Sequence, residues 1–315
     1  MTVSFASFHD QVAKLTEPTL ACFQKISKKY FFFHLAFALG VAAEVLLIGI
    51  FFSSITDSFF MGIAISLLFF TILLYFILRL YYHEQKPEDL RQLCNEYLST
   101  CKEYLPRQIG PSDEHLALAN SACLAANWLD GAEANFYRLP EKLRLLEPKL
   151  QQCSLRFHAS DVQAMKELFL LASIEQHISL IRIEPTSIDA HAATANAYLM
   201  LAELYGTTTE SNKKARWAQG RALEELKILS EFAPDNPWVH EKLAKSYQAL
   251  KMKKQEIQEY EILLRLQPEN LDARFTLGVL YFQEGENAKG LKIYEELRKT
   301  SDKAESLIQH YGSHL

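Results

Sequence analysis

The residues that could carry out chemistry in this 315-residue chain do not form a recognisable catalytic or ligand-binding motif. The sequence contains no glycine-rich phosphate loop, no G-x-G-x-x-G, no H-E-x-x-H zinc helix and no G-x-S-x-G nucleophile turn. The ten histidines are scattered, and His177 and His191, on either side of Pro185, are expected to be solvated and not to bind a metal. The sequence therefore predicts a protein that is not an enzyme and needs no metal or cofactor.

The five cysteines indicate reduced thiols in a cytosolic compartment. Their number is odd and no two form a C-x-x-C pair, so neither a disulfide framework nor a zinc framework is expected. Cys94 and Cys101 are seven residues apart, which places them on one face of a helix. We expect both to be small, buried apolar side chains.

Two apolar runs determine where this chain is expected to reside. The run 31–52 is interrupted only by His34 and Glu44, and the run 59–78 carries no charge. With a helical rise of about 1.5 Å per residue, each run can cross a hydrocarbon core about 30 Å thick. The polar stretch between them is only long enough to turn the chain. Residues 30–82 are therefore expected to form a transmembrane hairpin in a lipid bilayer.

Flanking charge predicts the orientation of this hairpin. Lys25, Lys28 and Lys29 precede the first span, and Arg79 and Lys86 follow the second. Positively charged flanks remain on the cytoplasmic side of a membrane. We therefore expect an integral, two-pass membrane protein with both termini in the cytoplasm.

Glu44 lies near the middle of the first span. A central acid costs about 2.5–3.5 kcal/mol on insertion scales, and the surrounding Leu, Ile, Phe and Val residues offset that cost. Glu44 could take part in an ion or proton relay, or could contact another helix in an oligomer. Two helices leave no room for a transport pathway. We therefore favour a protonated acid bonded to a backbone group or a hydroxyl, such as that of Ser66.

The remaining residues are expected to be all-α, since no stretch shows sustained alternation of polar and apolar residues. Residues 1–29 form an amphipathic leader, which either lies on the membrane or docks on the cytoplasmic domain. A polar linker is expected at 83–87. Within residues 87–185, one helix is expected to begin at Pro87, another to end at Pro148 and a longer one to follow Ser160. The net charge of −5, without a basic block, argues against a nucleic-acid partner.

The C-terminal part of the chain repeats itself with a period of 34 residues. A shift of that length places Ala244 on Gly278 and Tyr247 on Tyr281. Such a period indicates one helix–turn–helix unit per repeat, with each unit stacked on its neighbour. The small residue is expected where the two helices press together, and the tyrosine between neighbouring units.

Three segments share one residue pattern: His191-x₂-Thr194-Ala195-x₂-Tyr198, His240-x₂-Leu243-Ala244-x₂-Tyr247 and Arg274-x₂-Leu277-Gly278-x₂-Tyr281. This pattern resembles the tetratricopeptide repeat (TPR) family. The resemblance implies an α-solenoid of antiparallel helix pairs over residues 186–315, with a C-terminal capping helix that begins at Ala304. The helices of 87–185 are either degenerate repeats or unrelated helices.

The resemblance also implies a concave groove, lined by the first helix of each repeat and used to bind a protein or peptide. Helical spacing places eight side chains in this groove: Trp238, Glu241, Lys245, Gln248, Asp272, Phe275, Val279 and Phe282. Most of these positions are apolar or acidic, unlike the lysine- and asparagine-lined grooves of TPRs that clamp acidic C-termini. A helical or extended apolar segment is the expected ligand. In the alternative interpretation, the chain's own C-terminal helix covers Phe275 and Phe282.

These features predict a non-enzymatic, membrane-anchored adaptor or scaffold whose cytoplasmic repeats recruit a protein. Two alternatives remain open. The hairpin at 31–78 resembles the bilobed inclusion-membrane proteins that intracellular bacteria secrete, which implies a host protein as the partner. The chain could also be an assembly or regulatory subunit of a membrane complex, with Glu44 packed against that complex's helices.

Overall fold

The computed structural model describes most of the chain, and all regular secondary structure in that part is helical. Eleven α-helices and a short 3₁₀ helix are present, and no described residue belongs to a β-strand, which confirms the all-α prediction there. The chain divides into two compact units, Met1–Ser173 and Ile174–Leu315. The described residues are 2–50, 58–106, 108–137, 147–206, 212–299 and 303–311.

The first unit is built on two long helices. Both are longer than the apolar runs within them, so each apolar run continues as helix into the rest of the unit. A 3₁₀ helix at Ala132–Asn135 lies between the last two helices. The α-helices are α1 (Thr2–Ile50), α2 (Ser58–Glu103), α3 (Pro111–Trp128) and α4 (Glu147–Ile183), whose last residues belong to the second unit.

The leader is the first part of α1 and packs on the helical unit, as the second of its two interpretations requires. Phe8, Val12 and Phe23 are each 1% exposed, and the Phe23 ring makes an edge contact of 5.7 Å with Phe136. The helix continues through Pro18, although an internal proline costs about 3 kcal/mol. Buried aromatic and aliphatic side chains before and after the proline offset that cost.

The expected linker at 83–87 does not exist, because α2 runs without a break through Pro87 to Glu103. The prediction failed because burial of the following turns outweighs the hydrogen bond that proline removes. Leu90 and Tyr97 are buried on this segment, as are Cys94 and Cys101. The prediction that both cysteines are buried is confirmed.

Two other helix boundaries also differ from the prediction. Helix α4 begins at Glu147, so Pro148 lies in its first turn and does not end a helix. Proline is tolerated there because the first-turn N–H groups have no partner within the helix. Ser160 is consequently in the helix interior. The last part of this helix contacts α3, since the Ser173 hydroxyl donates to the Ala119 carbonyl at 2.9 Å.

The apolar segments of α1 and α2 pack on each other and are otherwise exposed. Each helix contains an apolar window long enough to cross a membrane, by length and composition, and none of either window is buried. Phe59 and Phe69, for example, are 72% and 68% exposed. Residues 51–57, which include the turn and the end of the first predicted span, lie outside the described residues.

The second unit is a row of paired helices in which each helix packs against the next along the chain. The helices of this unit are shorter than α1 and α2, as expected for two helices within each 34-residue repeat. These helices are α5 (Ile188–Tyr205), α6 (Asn212–Phe232), α7 (Pro237–Ala249), α8 (Lys253–Leu266), α9 (Leu271–Gln283), α10 (Asn287–Arg298) and α11 (Lys303–Tyr311).

The first helix of each pair begins with the same kind of cap. Ser187 accepts a hydrogen bond from the Ala190 N–H, and Asn236 and Asn270 cap α7 and α9 in the same way. Asn236 and Asn270 are 34 residues apart, which matches the sequence period. A polar side chain at this position satisfies an N–H group that otherwise lacks a partner at a helix start.

A basic residue follows each cap and ties the pair of helices together. The His240 Nε2 lies 2.7 Å from the Pro234 carbonyl, and its Nδ1 lies 2.7 Å from Glu259 on α8. His191 makes the equivalent contacts with Pro185 and with Glu225 of α6. The two histidines make equivalent contacts although they are 49 residues apart, because the first helix pair is longer than the 34-residue period.

The small residue of each repeat is buried where helices meet. Ala195 and Ala244 are 0% exposed, and Gly278 occupies the same position in the last repeat. A β-carbon at Gly278 would lie 2.8 Å from Leu307 and 2.9 Å from Ile293. The absence of a side chain at Gly278 therefore makes room for Leu307 of α11 and Ile293 of α10, and α11 packs on this last helix pair.

Candidate binding sites

The four groove residues predicted on α7 form an accessible face. Trp238 is 36% exposed, Lys245 and Gln248 are exposed, and Glu241 is half-buried. The Lys245 ammonium pairs with Glu241 at 2.5 Å, one helical turn away. Lys242 lies 5.7 Å from the centre of the Trp238 ring. This face combines one large aromatic surface with charges of both signs.

The groove residues predicted on α9 are placed differently. Asp272 is exposed, but Phe275 and Val279 are half-buried against the cluster that contains Leu307 of α11. Phe282 is 8% exposed. Both phenylalanines thus belong to a cluster that includes the C-terminal helix, the arrangement that the alternative interpretation describes, although Phe275 is only partly covered.

Gly290 explains why Phe282 is buried. A β-carbon at this glycine would lie 2.8 Å from the Phe282 ring, so the ring rests directly on the backbone of α10. An aromatic ring held in this way is part of the core and is not available to a ligand. Of the eight predicted positions, the four on α7 and Asp272 on α9 therefore remain accessible, whereas the three apolar positions on α9 pack against the C-terminal helices.

A second candidate site lies in the first unit, where a buried carboxylate joins three helices. Asp161 of α4 is 5% exposed, and it accepts hydrogen bonds from the Ser27 hydroxyl of α1 and the Lys86 ammonium of α2. His158 Nδ1 lies 3.8 Å from the same carboxylate. We call these four residues the polar cluster.

Charge in the polar cluster is balanced. Burial alone would raise the pKa of Asp161, but His158 and the positive charge of Lys86 outweigh it and hold that pKa below its ordinary value. Asp161 is therefore an ionised group paired with a cation. Such a buried pair joins α2 to α4, and removal of one member leaves an uncompensated charge.

His158 is held by contacts on all sides of its ring. Its Nε2 lies 2.9 Å from the Tyr137 hydroxyl and its Nδ1 lies 3.2 Å from the Ser27 hydroxyl. The Phe136 ring stacks on it with a centroid distance of 4.1 Å and an interplanar angle of 3°. Although serine, histidine and aspartate meet here, the Ser27 hydroxyl donates to Asp161 and not to the histidine. That order differs from a hydrolytic triad, in which histidine takes the serine proton.

A cavity of about 630 Å³ opens beside the polar cluster. Its polar lining includes Asp161 and Lys86, and its apolar lining includes Phe31 and Leu35 of the first apolar run. Tyr30, at the border between the two, donates to Asp89 at 2.8 Å, and burial together with that carboxylate raises the pKa of its phenol. The cavity therefore lies where the apolar hairpin meets the polar unit.

Glu44 forms a hydrogen bond within the hairpin. The Thr71 hydroxyl of α2 donates to Glu44 Oε1 at 2.8 Å. A bond to a hydroxyl of the second apolar run is present, as predicted, but its donor is Thr71 and not Ser66. Glu44 Oε2 is inaccessible to water and has no partner among the described residues.

The histidines on either side of Pro185 are not solvated, so that expectation is wrong. His177 and His191 are 3% and 4% exposed. Because its contacts with Pro185 and Glu225 occupy both ring nitrogens, His191 is a structural residue. No group of metal-binding side chains occurs among the described residues.

Sequence reasoning missed the polar cluster because its members come from three helices. Ser27 and Asp161 are separated by 134 positions, and no periodicity relates them. The only signal was a polar residue on the otherwise apolar face of each helix. The caps Asn236 and Asn270, by contrast, are 34 residues apart and could have been identified from the period of the sequence.

The fold defines an all-α protein of stacked helices with two apolar helices long enough to cross a membrane. No protein-family model matches the chain, and no curated protein matches it. Among solved structures 18 chains match, including an assembly chaperone of RpL4 (Acl4, residues 1-338). That match has 15% identity and a TM-score of 0.30, and covers 75% of this chain and 94% of the chaperone chain. A TM-score this low does not establish a shared fold.

Proposed function

We propose that this protein is a non-enzymatic adaptor, anchored in a membrane by the α1–α2 hairpin and binding a protein or peptide on its helical repeats. The observation that carries the proposal is the exposed apolar surface of the hairpin. Phe59, Phe69 and Leu80 are 72%, 68% and 69% exposed. Exposure of such surface to water costs about 25 cal/mol per Å², and a hydrocarbon environment removes that cost.

The same proposal places both termini in the cytoplasm. The cationic side chains Lys28, Lys29 and Lys86 lie at the end of the hairpin that joins the helical unit. Tyr30 and Tyr82 make an edge contact of 5.6 Å at the same level, where interfacial aromatic residues are enriched. Cationic flanks and a tyrosine pair favour a cytoplasmic membrane surface at this level.

We also assign the helix pairs from α5 to α10 to TPR-like repeats as part of this proposal. Support comes from the equivalent caps, the equivalent histidine contacts and the buried small residue of each pair. The face of α7 is the proposed binding surface, with Trp238 as its aromatic anchor. An apolar helical or extended segment with flanking charges of both signs matches that surface.

Site-specific crosslinking of the full-length protein tests the binding face. A photoreactive residue at Gln248, exposed on α7, is expected to yield a discrete crosslinked partner, and one at Gln258, exposed on α8, is the matched control. Trp238→Ala is expected to weaken the Gln248 crosslink about tenfold, since aromatic anchors dominate such interfaces. Equal crosslinking from both positions would contradict the assignment of the face. Release of the intact chain from membranes by alkaline carbonate would contradict the anchor.

A second candidate function, assembly of a membrane complex, is favoured by Glu44 Oε2, which has no hydrogen-bond partner within the described part of the chain. A donor on a helix of another protein would complete its hydrogen bonding within the bilayer. Glu44→Leu is expected to abolish co-purification of such a protein from detergent, and Glu44→Gln to retain it. Unchanged co-purification with the leucine variant would rule this function out. The resemblance to inclusion-membrane proteins remains a sequence-based prediction.

A further inference from the structure

The cavity beside the polar cluster is lined by both apolar and charged side chains. Phe31, Leu35 and Ala38 line it from the apolar segment of α1, and Arg79 and Lys86 line it from α2. Its volume of about 630 Å³ is in the range of small-molecule sites, roughly 300–1,000 Å³. A molecule that fits it must present one apolar and one polar end.

The two cations of the polar wall are not equivalent. Lys86 is neutralised by Asp161, the acidic residue among those that line the cavity. Arg79 has no acidic partner among the described residues. The wall thus carries one uncompensated positive charge, on a guanidinium group whose planar fork matches the oxygens of a phosphate.

The apolar wall is continuous with the surface that faces hydrocarbon. Leu35 and Ala38 are exposed on α1, within the first apolar run. Phe157 of α4 is 49% exposed, and its ring lies 5.0 Å from Phe31, so α4 forms the third side. An alkyl chain in the bilayer can therefore reach the cavity without crossing a polar barrier.

We propose that this cavity binds an anionic phospholipid, with the phosphate on Arg79 and an acyl chain along Leu35 and Ala38. The inference rests on the proposed membrane anchoring. The uncompensated charge of Arg79 selects a headgroup that is negative overall. The choline group of phosphatidylcholine would bring a further cation close to Arg79 and Lys86, so phosphatidylcholine is expected to bind more weakly.

Binding of short-chain lipids to the full-length protein in a non-ionic detergent tests the site. Dihexanoyl phosphatidylglycerol is expected to bind, dihexanoyl phosphatidylcholine to bind about tenfold more weakly, and inorganic phosphate not to compete. Arg79→Gln is expected to reduce phosphatidylglycerol affinity about tenfold or more. Arg91→Gln removes the same charge from a position outside the cavity, where Arg91 pairs with Glu88, and is expected to leave affinity unchanged.

A second variant keeps the test decisive if Arg79→Gln fails to fold. Ala38→Phe fills the apolar end without a change of charge, and is expected to abolish phosphatidylglycerol binding. Bound phosphatidylglycerol is also expected to slow maleimide modification of Cys153, which lines the cavity, and not that of Cys22, which does not.

Three results would overturn the proposal. They are equal affinity for the two lipids, an Arg79→Gln variant that binds like the native protein, and competition by inorganic phosphate as strong as that of the lipid. The last result would identify an anion site without a role for the acyl chain. Carbonate extraction tests the membrane anchor independently of lipid binding. Short-chain lipid in detergent can reach the cavity whether or not the hairpin spans a bilayer.

Discussion

At the scale of single residues, buried titratable groups set how the chain responds to acid. His177 is 3% exposed, and its Nδ1 has no hydrogen-bond partner among the described residues. Burial lowers the pKa of this imidazole to about 4. The folded chain therefore keeps His177 neutral at pH values where the unfolded chain protonates it.

The free energy of unfolding should decrease as the pH falls from about 6.5 to about 4, because over this range His177 binds a proton in the unfolded state and not in the folded state. The loss amounts to at most about 3 kcal/mol. His177→Gln removes this part of the slope when unfolding free energy is measured against pH in detergent. His83→Gln, at an exposed position, is the matched control. A parallel pH profile for the His177→Gln and native chains would contradict the prediction.

The residues of the repeats show what a periodic sequence can predict. The positions of Ala244, Gly278 and Tyr247 follow from the 34-residue shift, and all three are buried as expected. The partners of His240 do not follow from it, because a pattern of residue types does not specify which carbonyl or carboxylate lies opposite. The covered position of Phe282 depends on Gly290, whose contact is known only from three-dimensional packing.

At the scale of helices, close approach in the last repeat depends on glycine. The Phe282 ring lies where a β-carbon of Gly290 would be, with three ring atoms within 2.9 Å. Gly290→Ala is expected to destabilise the protein by about 1–3 kcal/mol, because the ring and α10 must separate. Urea unfolding of the full-length chain measures this loss.

Gly220 provides the control for that substitution, since it lies inside α6 and a β-carbon added there would meet nothing within 4 Å. Gly220→Ala is expected to stabilise the protein by up to about 1 kcal/mol through the higher helix propensity of alanine. The two substitutions are chemically identical and should act in opposite directions. The same sign for both would show that propensity, and not the contact with Phe282, decides the outcome.

The presence of helices was predictable from apolar periodicity, whereas the helix boundaries expected at Pro87 and Pro148 were wrong. Pro18 and Pro87 lie inside helices, and Pro148 lies in a first turn. The local cost of proline is nearly the same in each sequence context, but the burial that offsets it depends on residues far away in the chain. The polar cluster escaped prediction for the same reason, since Ser27 and Asp161 meet only through packing of α1 on α4.

At the scale of the whole molecule, the proposed topology predicts which thiols are accessible and from which side. Cys22 and Cys153 are exposed, whereas burial raises the pKa of Cys94 to about 12 and that of Cys101 to about 11. A membrane-impermeant maleimide should modify Cys22 and Cys153 in inside-out vesicles and not in sealed right-side-out vesicles. Modification of Cys22 and Cys153 in sealed right-side-out vesicles would place the helical unit on the extracytoplasmic side of the membrane and contradict the proposed topology.

The buried pair provides an internal reference in the same experiment. Cys94 and Cys101 should react roughly a thousandfold more slowly than the exposed thiols, because burial both hinders access and suppresses the thiolate. Unfolding in detergent and denaturant should remove that difference. Fast reaction of Cys94 or Cys101 in the native protein would contradict the packing of α2 on α3.

The passage of α1 and α2 through the expected membrane surface without a break has a mechanical consequence. A helix pair adjusts its tilt to the thickness of the bilayer around it. Since α3 packs on the extensions of both helices, it must change its inclination to the membrane plane together with them. Lipid composition would then orient the membrane-proximal helices directly, which a chain with a loose connection at Pro87 could not achieve.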